Sequence, residues 1–172
     1  MPTPFYLVDA FASQPFHGNP ACVCLFVDDK SDAWKQSLAA EMNQAETAFV
    51  LRDGNGYAIR WFTPTTEVDL CGHATIASVH ALHEHGLLPE RGRTTFSSKS
   101  GPLPVWSENG LYWMDFPKTI AAESAEVPEN LLEGLGLDSY QWVGRSIFDI
   151  LVEVDSAATL KSLAPDFYHL ST

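Results

Sequence analysis

The stretch Gly72-His73-Ala74-Thr75-Ile76-Ala77-Ser78-Val79-His80-Ala81-Leu82-His83-Glu84-His85 constrains the fold most. Its apolar residues Ala74, Ile76, Ala77, Val79, Ala81 and Leu82 fall on nearly every side of a helical projection. A helix apolar all round has to lie inside something. Gly86 offers a left-handed cap and Pro89 stands beyond it, so a buried helix is predicted over 72–85. Material to surround it lies on both sides. Residues 5–11 and 21–27 read as strands, joined through the turn-rich Gln14-Pro15-Phe16-His17-Gly18-Asn19-Pro20. Residues 47–51 and 57–63 flank Asp53-Gly54-Asn55-Gly56, a hairpin signal. Residues 94–99, 103–106 and 111–116 form a meander that turns at Ser100-Gly101-Pro102 and Ser107-Glu108-Asn109-Gly110. One amphipathic helix starts at Ser31 or Asp32, carries Trp34, Leu38 and Met42 on one face, and ends near Asn43. The expected fold is α+β, a mixed β-sheet curled into a barrel around a central apolar helix.

Composition changes after Pro117. Residues 1–118 are read as the barrel-around-helix domain and 119–130 as a linker. Residues 131–172 carry a short helix near Leu131, strands over 141–146 and 149–154, and a helix over 156–163. Two strands and a helix cannot close a core alone. This part is therefore expected to be the opening of a second domain that stays incomplete.

With 45% apolar residues the chain can bury a real core. Its formal charge of -12, with only 10 Lys and Arg, repels phosphate backbones and argues against a nucleic-acid partner. The segment Met1-Pro2-Thr3-Pro4-Phe5 has no basic region or long apolar run, so no signal peptide or membrane span is expected. Cys22, Cys24 and Cys71 form no disulfide framework and fit a reducing compartment, with the cytoplasm as the default.

Two stretches can carry chemistry. Glu46 follows a helix end and precedes a strand, so its carboxylate can project from the end of the sheet and exchange a proton. The bland alternative is a solvated acid at an element boundary. His73 sits in the first helical turn, where free backbone N–H groups favour an anion or a developing oxyanion. Its bland alternative is a capping or packed histidine. Cys71, two residues earlier, is placed where a helix N-terminus can acidify a thiol; otherwise it is a packed thiol. His80, His83 and His85 crowd the far end of the helix, with too few convergent donors for a metal site. Gly-rich phosphate loops, serine elbows and H-E-x-x-H are absent, and no metal or cofactor is expected.

Several linked motifs point to a family. These are Val8-Asp9-Ala10-Phe11, Phe16-His17-Gly18-Asn19-Pro20-Ala21-Cys22-Val23, Met42-Asn43-Gln44-Ala45-Glu46-Thr47-Ala48-Phe49, Ile59-Arg60-Trp61-Phe62-Thr63-Pro64 and Glu67-Val68-Asp69-Leu70-Cys71-Gly72-His73-Ala74-Thr75. In order and spacing they resemble the phenazine-biosynthesis PhzF-like isomerases. The resemblance continues more loosely through Asp149-Ile150-Leu151-Val152-Glu153-Val154 and Leu163-Ala164-Pro165-Asp166-Phe167. It implies the diaminopimelate-epimerase-like fold, two similar domains with the active site in the cleft between them. It also implies cofactor-free proton transfer on a small carboxylated substrate, and a homodimer. In this resemblance Glu46 moves the proton, Gly72, His73 and Ala74 line the substrate pocket, and Asn19 lies near it. Cys71 stands where racemase relatives place a thiol. The acidic-Pro-x-Thr-Gly-Ser stretch of the family's second half is missing here. The expectation is an isomerase whose activity is impaired in this short chain. The alternative is a non-catalytic truncated remnant that self-associates or binds a small ligand.

Overall fold

The chain folds around α2 (Gly72–Glu84), which buries Ala74, Thr75, Ala77, Ser78, Val79, Ala81 and Leu82. Around it lie β1 (Phe5–Ala10), β2 (Asn19–Phe26), β3 (Thr47–Asp53), β4 (Gly56–Phe62), β5 (Glu67–Val68), β6 (Arg93–Ser98), β7 (Gly101–Glu108) and β8 (Leu111–Met114). α1 (Asp32–Met42) links β2 to β3. This computed structural model describes residues 3–14, 16–88, 92–124 and 126–171; Pro15 and Pro89, read above as loop and helix-stop residues, lie outside them. The chain divides into two compact units, Met1–Pro117 and Lys118–Thr172.

The sheet of the first unit runs β1-β2-β3-β4-β6-β7-β8, with β5 added to β4. Two of its ladders are parallel, β2 with β3 and β4 with β6, and each connection carries a helix. That is the usual requirement of a parallel pair, which cannot be joined by a tight turn. The curl stops at a half-barrel: among the described residues no ladder joins β1 to β8, although both lie against α2.

Strand alternation sorts the two faces. Ala21, Val23 and Leu25 of β2, Ala48 and Val50 of β3, and Ile59 and Trp61 of β4 share one core with α2. Cys24, Phe26, Phe49 and Phe62 face the other way and pack with Ala39 of α1. Central strands covered on both faces read as continuous apolar runs, as Ala21-Cys22-Val23-Cys24-Leu25-Phe26 does.

The ends of the elements follow local rules. β1 stops at Ala10 because Phe11 turns left-handed, with φ of 60°. β2 begins at Asn19, two residues before the expected start, and Pro20 pairs in register with Asp9. Gly18 permits that approach, since a Cβ there would meet the Ala10 carbonyl oxygen at 2.6 Å. α1 is capped by Ser31, whose Oγ accepts from Trp34 N, and closes at Asn43 in the left-handed region. β7 extends over the expected turn residues Gly101 and Pro102. β8 stops at Met114, short of the expected Phe116. β5 has only two residues, too few to show an alternation in sequence.

Outside the cores, Arg60 binds Glu67 through both carboxylate oxygens at 2.7 and 2.8 Å and reaches Asp32 at 2.6 Å. The guanidinium of Arg60 is the main cause holding the Glu67 carboxyl below its ordinary range, and Lys99 adds to it. This network fastens β5 to β4 beside the first turn of α1.

The second unit holds β9 (Ala122–Glu123), α3 (Leu131–Leu135), β10 (Trp142–Arg145), β11 (Ile150–Glu153), α4 (Ala157–Ser162) and α5 (Phe167–Leu170). β9, inside the stretch read as a linker, pairs with β10, which also pairs with β11. α3 and α5 touch closely at Gly134, where a Cβ would lie 2.6 Å from Leu170. Among the described residues of this unit only Leu131 and Val143 are buried hydrophobics, while Ile147, Phe148, Phe167 and Tyr168 stay exposed. No helix of the described residues is long and apolar enough to cross a membrane.

Candidate functional site

Glu46 reaches its place through a short, defined connection. Asn43 ends α1 with its N–H on Ala39 O, and four residues later the chain enters β3. The Glu46 carbonyl accepts from Cys22 N at 3.3 Å, which ties the residue into the parallel β2–β3 ladder. Ala48 and Val50 point toward α2, so alternation carries Glu46 to the same face, at the end of the half-barrel where α2 begins.

His73 arrives from the opposite direction. Cys71 is the extended N-cap of α2, and the Thr75 hydroxyl anchors its carbonyl at 2.6 Å. The Cys71 side chain makes no capping hydrogen bond, and the first turn of the helix holds no acidic residue. The positive end of the helix is therefore uncompensated by its own side chains.

The two elements bring His73 Nε2 to 3.5 Å from Glu46 Oε2. That separation is long for a hydrogen bond, and Nε2 is a buried nitrogen with no hydrogen-bond partner among the described residues. Cys71 Sγ lies 3.5 Å from the other ring nitrogen, Nδ1. Burial pushes the Cys71 thiol up to about 12, and the neighbouring Glu46 carboxylate adds to the rise; the N–H groups of Ala74 and His73 pull the other way and lose. Of the two readings the sequence left open for Cys71, the structure favours the packed thiol over the acidified one. Desolvation outweighs the helix end because the residue is only 7% exposed. A protonated thiol can donate to Nδ1, which leaves the ring proton on Nε2, aimed at the carboxylate.

One expected outcome follows. Cys22, Cys24 and Cys71 are all buried, and the thiols of Cys24 and Cys71 are both pushed up to about 12. Iodoacetamide at pH 8 should leave them unmodified in the native protein and label all of them after denaturation, read by mass spectrometry. Rapid native labelling of Cys71 would mean that its thiol is activated after all.

Donor atoms of Glu46, Cys71 and His73 lie within 4.8 Å of one another, a set with the chemistry to hold a metal ion. Three donors fall short of the four that close a structural zinc site. The arrangement suits proton movement between carboxylate and imidazole better than ligation.

Gly72 opens the helix beside Met114 and Phe116, and a Cβ there would meet only ordinary contacts at 3.8 and 3.9 Å. The backbone does not demand glycine at this position. Met114 and Phe116 add an apolar wall that the sequence reading did not single out; their place at the end of a strand facing the helix mouth was the available signal. Ala74 is fully buried in the first turn. Asn19 stands apart. It starts β2, exposed, on the face shared by Ala21 and Glu46, but lies further along the strand. Its side chain makes no hydrogen bond or ion pair with Glu46, Cys71 or His73. His80 bonds the Tyr112 hydroxyl at 3.2 Å, so this histidine is engaged structurally.

A family profile described as phenazine biosynthesis-like protein, PhzC-PhzF, matches residues 8–172. The chain is 46% identical over 167 residues to a protein of Halalkalibacterium halodurans named an uncharacterized isomerase, covering 97% of this chain and 63% of that protein. A crystal structure of a PhzF-family phenazine biosynthesis protein from Enterococcus faecalis superposes with a TM-score of 0.87 at 36% identity, covering 100% of this chain and 65% of that one. A predicted epimerase of Pseudomonas aeruginosa shares the fold, with a TM-score of 0.73 at 22% identity, over 94% of this chain and 62% of that one. The chain spans less than two thirds of the length of each of these proteins.

Proposed function

The chain belongs to the phenazine biosynthesis-like PhzC-PhzF family, and on that premise we propose that it performs isomerase- or epimerase-type proton transfer on a small carboxylated metabolite, with Glu46 as the proton carrier. The reaction needs no cofactor: a carboxylate takes a proton from one carbon and returns it to another or to the opposite face. The observation that carries this reading is the meeting of Glu46 and His73 across the mouth of α2 at 3.5 Å, with Nε2 otherwise unpartnered. His73 then orients the substrate. The backbone of Gly72 and Ala74 offers N–H groups and a positive helix end to its carboxylate. Cys71, beside both the imidazole and the Glu46 carboxylate, acts as a positioning residue, and Asn19 contacts substrate from the rim.

In this reading residues 131–172, after a linker over 119–130, begin the family's second half, and the remainder of that half supplies the facing wall of the cleft. Activity of the chain alone is accordingly expected to be weak. Incubating a panel of small carboxylic acids in heavy water, with the chain alone and with a version continued by a relative's second half, tests the reading. Mass spectrometry should show one deuteron gained by at least one acid in the continued version. A continued version that folds yet exchanges none would overturn the reading.

We also place the protein in the cytoplasm, as a homodimer. Exposed Phe11, Leu111, Ile147 and Phe167 give apolar surface for a second copy to cover. Sedimentation equilibrium should return twice the chain mass at high concentration; a clean monomer would contradict this.

A further inference from the structure

The end of the half-barrel away from Glu46 contains a cavity of about 390 Å³. Its lining includes Leu25, Val50 and Leu82 on the apolar side and Arg52, Tyr57 and His85 on the polar side. It lies at the C-terminal end of α2, a 13-residue helix, and so roughly 18 Å from the first turn that carries His73. The size falls in the usual range for small-molecule sites, roughly 300–1,000 Å³. The balance of an apolar floor and a few placed polar groups is also that of a ligand pocket.

The polar groups have an order. Alternation along β3 puts Ala48 and Val50 inward, so Arg52 faces the same way at the strand's end, exposed at the mouth. Its guanidinium packs over the Tyr57 ring, 5.4 Å from the centroid, and donates from Nη1 to the Tyr57 hydroxyl at 3.3 Å. Tyr57 in turn donates to Leu87 O at 3.1 Å. His85 packs against Tyr6 with ring centroids 4.4 Å apart and the planes tilted by 37°. Arg52 has no carboxylate partner among the described residues, in a chain with 22 Asp and Glu against 10 Lys and Arg. By contrast, Arg60 is held by two acids. The closing turn of α2 does not repel an anion strongly, because the Leu82 carbonyl already accepts from Leu87 N and Leu88 N.

We propose that this cavity is a second small-molecule site, separate from the Glu46–His73 cluster, for an organic carboxylate with an apolar or aromatic body. The body lies on Leu25, Val50 and Leu82, and the carboxylate pairs with Arg52, whose planar fork suits it. The inference stands independently of the proposed proton transfer.

The test is a titration of the 15N-labelled 172-residue protein with trans-cinnamate, and separately with cinnamyl alcohol, which keeps the shape and lacks the charge. Cinnamate is expected to move the amide signals of Tyr57, Leu82 and Leu87. The alcohol should bind at least tenfold more weakly. Arg52→Gln should lower cinnamate affinity about tenfold at this site, and Arg52→Lys should lose less. Tyr57 amide dispersion in each free variant reports that the cavity end is still folded. Equal affinity for acid and alcohol, no effect of Arg52→Gln, or shifts confined to Gly72–Ala74 would each overturn the proposal.

Discussion

Glu46→Gln is expected to cut proton exchange into substrate by roughly 10²–10⁴-fold, the usual contribution of a positioned general acid–base group. It should do so in whichever form turns over substrate, the chain alone or the continued version. The amide keeps the shape of the carboxylate and cannot accept a carbon-bound proton. Folding should be almost untouched, because the Glu46 side chain is partly exposed, at 22%, and the nearest His73 ring nitrogen is 3.5 Å away. Substitutions of this kind stay within about 0.5 kcal/mol. His73→Ala should behave differently, raising KM as well as lowering kcat, because it removes a group that holds substrate in both ground and transition states. Full exchange by Glu46→Gln would remove Glu46 from the mechanism.

The largest loss of stability is expected from Trp61→Ala. Trp61 lies in β4, paired in register with Ala48 of β3 and Val68 of β5, and is 1% exposed. Its indole belongs to the core that surrounds α2. Truncating a buried Trp to Ala costs about 3–5 kcal/mol, from lost transfer energy and the cavity left behind. Domains hold roughly 5–15 kcal/mol in total, so the variant would lose a large share. The urea midpoint should fall by roughly 2 M, given a slope of about 1–3 kcal/mol per molar. Trp61→Phe should cost much less, because the indole Nε1 has no hydrogen-bond partner among the described residues and its removal also removes that penalty. A midpoint unchanged in Trp61→Ala would mean that the sheet does not depend on this packing.

Much of the first unit was legible in the sequence because its signals are local and strong. An all-round apolar helix has one place to go, and Asp53-Gly54-Asn55-Gly56 and Asn109-Gly110 close hairpins whose register the structure shows as Asp53 on Gly56 and Glu108 on Leu111. Gly86 does end α2 in the left-handed region. What escaped was structure whose cause is distant. The two residues of β5 exist because Arg60 and Lys99 fasten Glu67, contacts that span 7 and 32 residues. β9 is set by pairing with Gly144 and Arg145 rather than by any pattern of its own. The four-residue α5 follows from an Asp166 cap that accepts from His169 N, a cue too short to separate from a turn. At the candidate site the sequence named Glu46, His73 and Cys71. It left the thiol open between acidified and packed, because a helix N-terminus is visible in sequence while the depth of burial around it is not.

The central claim is that Glu46 and His73 form one unit at the mouth of α2. It is tested most directly by the ring-nitrogen NMR signals of His73 in the wild-type protein and in Glu46→Gln. The expected result is a clear move of the His73 signals when the carboxylate is replaced, with His80, His83 and His85 holding theirs, since they lie toward the other end of the helix. A His73 ring whose signals do not respond to Glu46→Gln would contradict the pairing, and with it the proton-transfer site.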